Sequence, residues 1–304
     1  MSGLRGIFAP IATAFDESGE VDLEVFSQNV RSLGASKLAG LVVLGSNGEF
    51  ALLSKDEKVR LVETARANLP SGKRVIAGTG CESLSESIEL TRRCAAAGAE
   101  AALVVTPHYY KRDMNEAALE HFYTSLADSS PIPVMLYNMP GNTGVNIVPS
   151  LTLRLAAHPN ITGIKDSGGS IVQISEVIAG ASDGFAVFAG SGSYLLPVLA
   201  MGGAGGTLAV ANVVPDYCVG IQERFERGDL EGARRMQLAL LPLNAAVTSR
   251  FGIGGMKAAM DLAGYRGGAP RPPIRLAGAD VRREIAAMLR KLEVDPFQET
   301  GDYL

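Results

Sequence analysis

A side-chain amine that can lose its proton beside a ketone adds to it and forms an imine, which then serves as an electron sink for making or breaking a neighbouring carbon–carbon bond. The lysines are therefore the first residues to sort. Lys55, Lys58, Lys257 and Lys291 fall in stretches with helical spacing, Lys37 and Lys111 in loops, and Lys73 just before an apolar run; only Lys165 closes an apolar run, in ITGIK. At that position the amine would be partly desolvated, which lowers its pKa from a reference value of about 10.4 and raises the neutral fraction. The same position also suits a lysine that simply pairs with a carboxylate. Tyr137 closes the preceding run and could pass protons to chemistry at Lys165 through Ser46 and a tyrosine of the segment Thr106-Pro107-His108-Tyr109-Tyr110, since a phenol relays protons through hydroxyls. Alternatively it is a core aromatic whose hydroxyl has found a backbone acceptor. Gly45-Ser46-Asn47-Gly48-Glu49 offers consecutive backbone N–H groups flanked by glycines, a geometry that grips an anion such as a carboxylate, or else a plain turn in which Asn47 tolerates unusual backbone angles. GSGS and GGAGG further on are either phosphate-binding loops or close-packed turns.

Other chemistries find less support. His108, His121 and His158 show no paired metal-ligand spacing, and neither a GxSxG elbow nor a GxxxxGK[ST] loop occurs. No metal and no cofactor are expected. Cys81, Cys94 and Cys218 are odd in number and widely spaced, which suits reduced thiols and, with no leader-like apolar stretch after Met1, a cytoplasmic protein. A net charge of −4 without a basic block gives no footprint for nucleic acid, and no apolar run approaches the roughly 20 residues that cross a bilayer.

The elements that must carry these residues are short, nearly unbroken apolar runs: Gly6 to Phe15, Gly40 to Gly45, Arg74 to Gly80, Ala101 to Pro107, Pro133 to Tyr137, Ile161 to Lys165, Phe185 to Gly190 and Gly206 to Asn212. Continuous rather than alternating apolarity suits parallel strands covered on both faces. Helical patterns separate them. Ser54-Lys-Asp-Glu57 reads as a capping box followed by Val59, Val62, Ala65 and Leu69 on one face, and Ser83-Leu-Ser-Glu86 repeats the signal. An open doubly wound sheet would also alternate in this way, but eight runs without a dinucleotide fingerprint favour a closed (β/α)8 TIM barrel. In such a barrel, polar residues closing a strand lie at the active rim. The strand runs stop near Val214, and helices are expected over 229–250, 255–265 and 279–292, so the chain divides into a barrel, 1–228, and a C-terminal helical region packed on it, 229–304.

With these residues in hand, the sequence resembles the dihydrodipicolinate synthase and N-acetylneuraminate lyase family along nearly its whole length, through GSNGE, TPHYY, YNMPGNTG and IKDSGG. The resemblance implies a class I aldolase or lyase in which Lys165 forms the imine with pyruvate or another 2-keto acid and Tyr137 shuttles protons. Ser46 and Tyr109 would complete the relay, Tyr109 reaching a neighbouring subunit's site in a homotetramer, and Ser46 and Asn47 would hold the pyruvate carboxylate. Within the family the chain looks closest to 4-hydroxy-2-oxoglutarate aldolase, on GSNGEF, AGTGCES, KDSGG and NAAVTSRFGIGGMKAAMD. That likeness adds Ser167 to the substrate-binding residues, with Asn142, Gly190 and Leu208 counted among them on the later strands and loops. Where dihydrodipicolinate synthases place an arginine in the loop after the tyrosine, this chain has Asn142. A neutral amide cannot make the charge-assisted fork of a guanidinium. The expected reaction is thus cleavage of a 4-hydroxy-2-keto acid to pyruvate and an aldehyde such as glyoxylate. Condensation of pyruvate with aspartate semialdehyde, or cleavage of a 2-keto-3-deoxy sugar acid, is the alternative. A barrel that binds keto acids without turnover would have no physical need of Lys165, Tyr137, Ser46 and Tyr109 together.

Overall fold

The computed structural model describes residues 4–293. Eight strands, β1 (Gly6–Pro10), β2 (Gly40–Val43), β3 (Arg74–Gly78), β4 (Ala101–Val105), β5 (Val134–Asn138), β6 (Ile161–Asp166), β7 (Ala186–Ala189) and β8 (Gly205–Thr207), pair in order, all parallel, and β8 returns to β1 to close the barrel. Helices α1 (Leu23–Ala35), α2 (Lys55–Asn68), α3 (Leu84–Ala96), α4 (Glu116–Ser129), α5 (Pro140–Thr143), α6 (Pro149–Ala156), α7 (Ile171–Gly180), α8 (Leu195–Ala200) and α9 (Pro215–Glu226) lie between and after the strands. Three more follow: α10 (Leu230–Ala245), α11 (Gly252–Leu262) and α12 (Ala279–Glu293). This is the TIM barrel with a C-terminal helical part that the eight runs predicted. Residues 1–3 and 294–304, the ends of the two expected regions, lie outside the described residues.

Every run begins a strand, but several outlast theirs. Ile11 to Ala14 and Leu208 to Asn212 remain buried after the ladder has ended, because the rim of the barrel is roofed by turns and by α11. Apolarity there marks burial rather than pairing. Ser54 forms the full capping box of α2 with Glu57, and Ser83 caps α3 by accepting from the Glu86 N–H. The buried face of α2 runs through Lys58, Leu61, Val62 and Ala65, so Val59 is not its main contributor. The single helix expected over 229–250 is broken: α10 carries Pro242 and gives way to a π-helical turn at Ala246–Arg250. Proline removes a helix hydrogen bond, and Thr248 Oγ1 donates to the Asn244 carbonyl at 2.6 Å in this stretch.

Two apolar surfaces hold the fold. Between sheet and helices lies the larger core, and inside the barrel sits a smaller plug of Phe8, Val42, Ile76, Leu103, Met135 and Phe188. Phe8 and Phe188 meet edge to face with centroids 5.8 Å apart and planes at 77°, an arrangement that adds about 1 kcal/mol beyond area burial.

One ion pair ties the C-terminal part to α2. Arg271 Nη2 lies 2.6 Å from Glu57 Oε1, both side chains are mostly buried, and the guanidinium stacks 4.5 Å from the Phe15 ring centroid. The Arg271 hydrogen bonds, opposed by burial, hold the Glu57 carboxyl at about 2 against an ordinary 4.5. A carboxylate held below its unfolded value contributes stability that is complete above about pH 4.5 and is lost as the pH falls through about 2, here about 3 kcal/mol at neutral pH. Urea midpoints of wild type and Glu57→Gln should therefore differ clearly near neutrality and converge toward the acid limit. A gap that stays constant with pH would contradict this.

Candidate active site

Strand parity decides which side chains enter the barrel. Met135 and Tyr137 on β5 and Ala186 and Phe188 on β7 belong to the interior plug. Between them, Gly163 pairs with Met135 and Ala186, and Lys165 with Tyr137 and Phe188. Lys165 is thus an interior residue of the layer nearest the carboxyl ends of the strands, where barrel active sites lie. Its side chain is 2% exposed and its Nζ stands 4.1 Å from the centroid of the Tyr137 ring. The Tyr137 hydroxyl is 3.3 Å from Ser46 Oγ. Burial pushes the Tyr137 phenol up, but the Lys165 charge and hydrogen bonds with Ser46, Lys165 and Ser167 outweigh it, so the phenol lies below its ordinary value. A cavity of about 40 Å³ opens on the Tyr137 and Ser46 side of this group, lined also by Thr79, Gly80, Leu103 and Val105, with Lys165 behind Tyr137 and not in its lining.

The turn after β2 is built differently from the expectation. Gly45 has ordinary extended φ, and the left-handed residues are Leu44 (φ 64) and Glu49 (φ 59), neither glycine nor Asn47. Both are conformations that a side chain disfavours, so surrounding structure must impose them. Leu44 turns its carbonyl toward β3, where a Cβ on Gly78 would collide with it. Gly48 is small for a similar reason, with its missing Cβ facing the Ile11 carbonyl at 3.1 Å and Thr13 Oγ1 donating to its own carbonyl at 2.6 Å. The Asn47 side chain donates to Met256 Sδ at 3.3 Å.

Beyond Lys165 the chain is held by a polar cluster. Asp166, buried, accepts at Oδ2 from Asn138 Nδ2 (2.8 Å) and Gln173 Nε2 (3.0 Å) and at Oδ1 from the Gly168 N–H (2.8 Å). Its carbonyl accepts from the Gly190 N–H at 2.7 Å and the Tyr194 hydroxyl at 3.0 Å. A Cβ on Gly190 would strike Ser167 Oγ, which explains glycine at that strand end. Leu208 is fully buried just past β8, its N–H donating to the Phe8 carbonyl at 3.0 Å.

Lys165, Tyr137, Ser46 and Ser167 thus form one group, with Gly190 against Ser167. Asn142 faces solvent on α5, and Tyr109 is 76% exposed, packed edge on to Tyr110 and in no described contact with the group. His108 and Tyr109 are held by their N–H groups donating to Glu82 Oε2, each at 2.9 Å. Sequence reasoning assigned no role to Asp166, Gln173, Glu49 or Lys257. Asp166 carried a signal in its place beside the strand-end lysine; the others make contacts that only the closed barrel creates.

A closed parallel barrel with an interior lysine and tyrosine side by side at its carboxyl rim defines the class of barrel enzymes that work through a lysine imine. Comparison specifies it further. Residues 3–292 match the model of the dihydrodipicolinate synthetase family, and the chain belongs to that family, whose members are pyruvate-dependent lyases and synthases that use a lysine Schiff base. A relative from Methanothrix thermoacetophila is 38% identical over 301 residues, covering 98% of this chain and 99% of its own, and one from Exiguobacterium sp. is 37% identical over 290 residues, covering 94% and 97%; both are named 4-hydroxy-tetrahydrodipicolinate synthase. Among solved structures, a dihydrodipicolinate synthase from Bacillus anthracis superposes with a TM-score of 0.91 at 28% identity, covering 95% of this chain and 99% of its own. YagE, a prophage protein of the same family from E. coli K12 solved in complex with pyruvate, gives 0.89 at 30% identity with the same coverage. These names favour the synthase, the alternative of the sequence reading, over 4-hydroxy-2-oxoglutarate aldolase. No helix among the described residues is long and apolar enough to cross a membrane.

Proposed function

We propose that Lys165 is the imine-forming residue of this enzyme and that the 2-keto acid it takes is pyruvate. The observation that carries the reading is the stacking of Lys165 Nζ on Tyr137 in the topmost interior layer, 4.1 Å from the ring centroid, with Ser46 Oγ 3.3 Å from the tyrosine hydroxyl. The neutral amine adds to the C2 carbonyl, and water is expelled as the protonated imine forms. Loss of a C3 proton gives the enamine, whose C3 attacks an aldehyde carbon while Tyr137 gives a proton to the aldehyde oxygen. Hydrolysis of the imine returns the amine. Run backwards, the same steps cleave a 4-hydroxy-2-keto acid, with Tyr137 taking the hydroxyl proton. The backbone N–H groups of Ser46 and Asn47 receive the pyruvate carboxylate, Ser167, Gly190 and Leu208 line the substrate, and the exposed Tyr109 serves the site of a second copy.

For the acceptor, the names of the relatives support condensation with aspartate semialdehyde, as in 4-hydroxy-tetrahydrodipicolinate synthase. A second reading, cleavage of 4-hydroxy-2-oxoglutarate to pyruvate and glyoxylate, is favoured by Asn142, which supplies no charge where an anionic semialdehyde needs one. Borohydride reduction in the presence of pyruvate is expected to leave a stable mass adduct on the wild-type chain, and its absence would refute the imine. Turnover of pyruvate with aspartate semialdehyde, set against pyruvate release from 4-hydroxy-2-oxoglutarate and from 2-keto-3-deoxy sugar acids, then decides the acceptor.

A further inference from the structure

The most deeply buried ion pair described lies outside the reaction centre. Glu49, the last residue of the GSNGE turn, and Lys257, on α11, both have side chains with 0% exposure, and their Oε1 and Nζ are 2.6 Å apart. Burying two charges is expensive, and apolar side chains of similar volume commonly fill such space without loss of stability. The pair therefore calls for a role beyond filling the core, and its connections supply one. Glu49 Oε2 accepts from the Arg271 N–H at 2.8 Å, and Lys257 Nζ also donates to the Ala269 carbonyl at 2.8 Å and lies 4.7 Å from the Phe15 ring centroid. Met256, adjacent to Lys257, receives the Asn47 amide at 3.3 Å and the Asn212 amide at 3.8 Å. Two consecutive residues of α11 thus hold one turn at two points, Met256 at its middle residue Asn47 and Lys257 at its last residue Glu49. Glu49 is held in the left-handed conformation, which a non-glycine residue keeps only when its surroundings over-determine it. Burial pulls the Lys257 ammonium down and the Glu49 charge opposes this.

We propose that Glu49 and Lys257 are positioning residues that clamp the substrate-carboxylate turn to α11, so that affinity for pyruvate depends on a lysine that never touches it. The inference rests on the assignment of that turn to the carboxylate made above. Without the clamp the left-handed residue relaxes and the N–H groups of Ser46 and Asn47 lose their common direction. Imine formation at saturating pyruvate survives, because Lys165 and Tyr137 stand on other strands.

The experiment follows borohydride trapping on the intact chain as a function of pyruvate concentration in wild type, Lys257→Met and the double variant Glu49→Met/Lys257→Met. Lys257→Met leaves a lone buried carboxylate and is expected to melt earlier. The double variant buries no lone charge and should recover most of the thermal midpoint. In both, half-saturating pyruvate should rise at least tenfold while the plateau of labelling is retained. A purely structural pair predicts the opposite pattern, with pyruvate affinity returning along with stability. A folded double variant with wild-type half-saturation, or a double variant that does not fold, overturns the clamp alone. No adduct on the wild type removes the imine assignment and the clamp with it.

Discussion

Replacing Lys165 by alanine is expected to abolish the borohydride-trapped pyruvate adduct and to lower turnover by a factor on the order of 10⁴ or more, the scale on which removing a covalent nucleophile acts. The change removes an interior amine without disturbing the ladder, since β6 pairs through its backbone with β5 and β7. It should also leave a second mark. The Lys165 charge is what chiefly offsets the effect of burial on the Tyr137 phenol, so tyrosinate absorbance should appear at higher pH in Lys165→Ala than in wild type. Undiminished adduct in the variant would move the imine to another lysine, and an unmoved tyrosine titration would contradict the contact.

Tyr137→Phe should separate imine formation from proton transfer. The ring that packs under Lys165 stays, while the hydroxyl 3.3 Å from Ser46 Oγ is lost. General acid–base catalysis is worth roughly 10²- to 10⁴-fold, so kcat should fall within that range while prolonged borohydride trapping still labels Lys165. Rapid-quench comparison of adduct formation with product release tests this. A variant that keeps wild-type kcat would remove Tyr137 from the reaction, and one that cannot be labelled at any pyruvate concentration would mean that the hydroxyl is needed to form the imine itself.

Both residues were legible because one physical rule selects them: in a parallel barrel, a polar side chain that ends an apolar run emerges at the carboxyl rim. Lys165 and Tyr137 satisfy it on adjacent strands, and their register, Tyr137 beside Lys165, brings them together. The same runs misjudge where strands stop, because apolarity reports burial: Ile11 and Leu208 make the last N–H bonds to the neighbouring strands, and the apolar residues after them stay buried under turns. Lys257 was set aside for its helical spacing, yet it is among the least accessible charges described. Nothing local announces its partner: 209 residues separate Asn47 from Met256, the neighbouring contact in the same clamp. The left-handed angles of Leu44 and Glu49 were hidden for the same reason, being imposed by neighbours on other elements rather than by residue type. Asn142 was legible as a missing charge, but which aldehyde tolerates that depends on the shape of the mouth.

Phe188, level with Lys165, meets Phe8, and this aromatic pair fills the inside of the cylinder together with Ile76 and Met135. If substrates reach Lys165 from the carboxyl rim, as the proposed function has it, the site is a cul-de-sac in which whatever enters last must leave first. On the proposed reading, pyruvate tethered at Lys165 arrives before its aldehyde partner in the joining direction, and in the splitting direction the aldehyde departs while the three-carbon fragment is still attached.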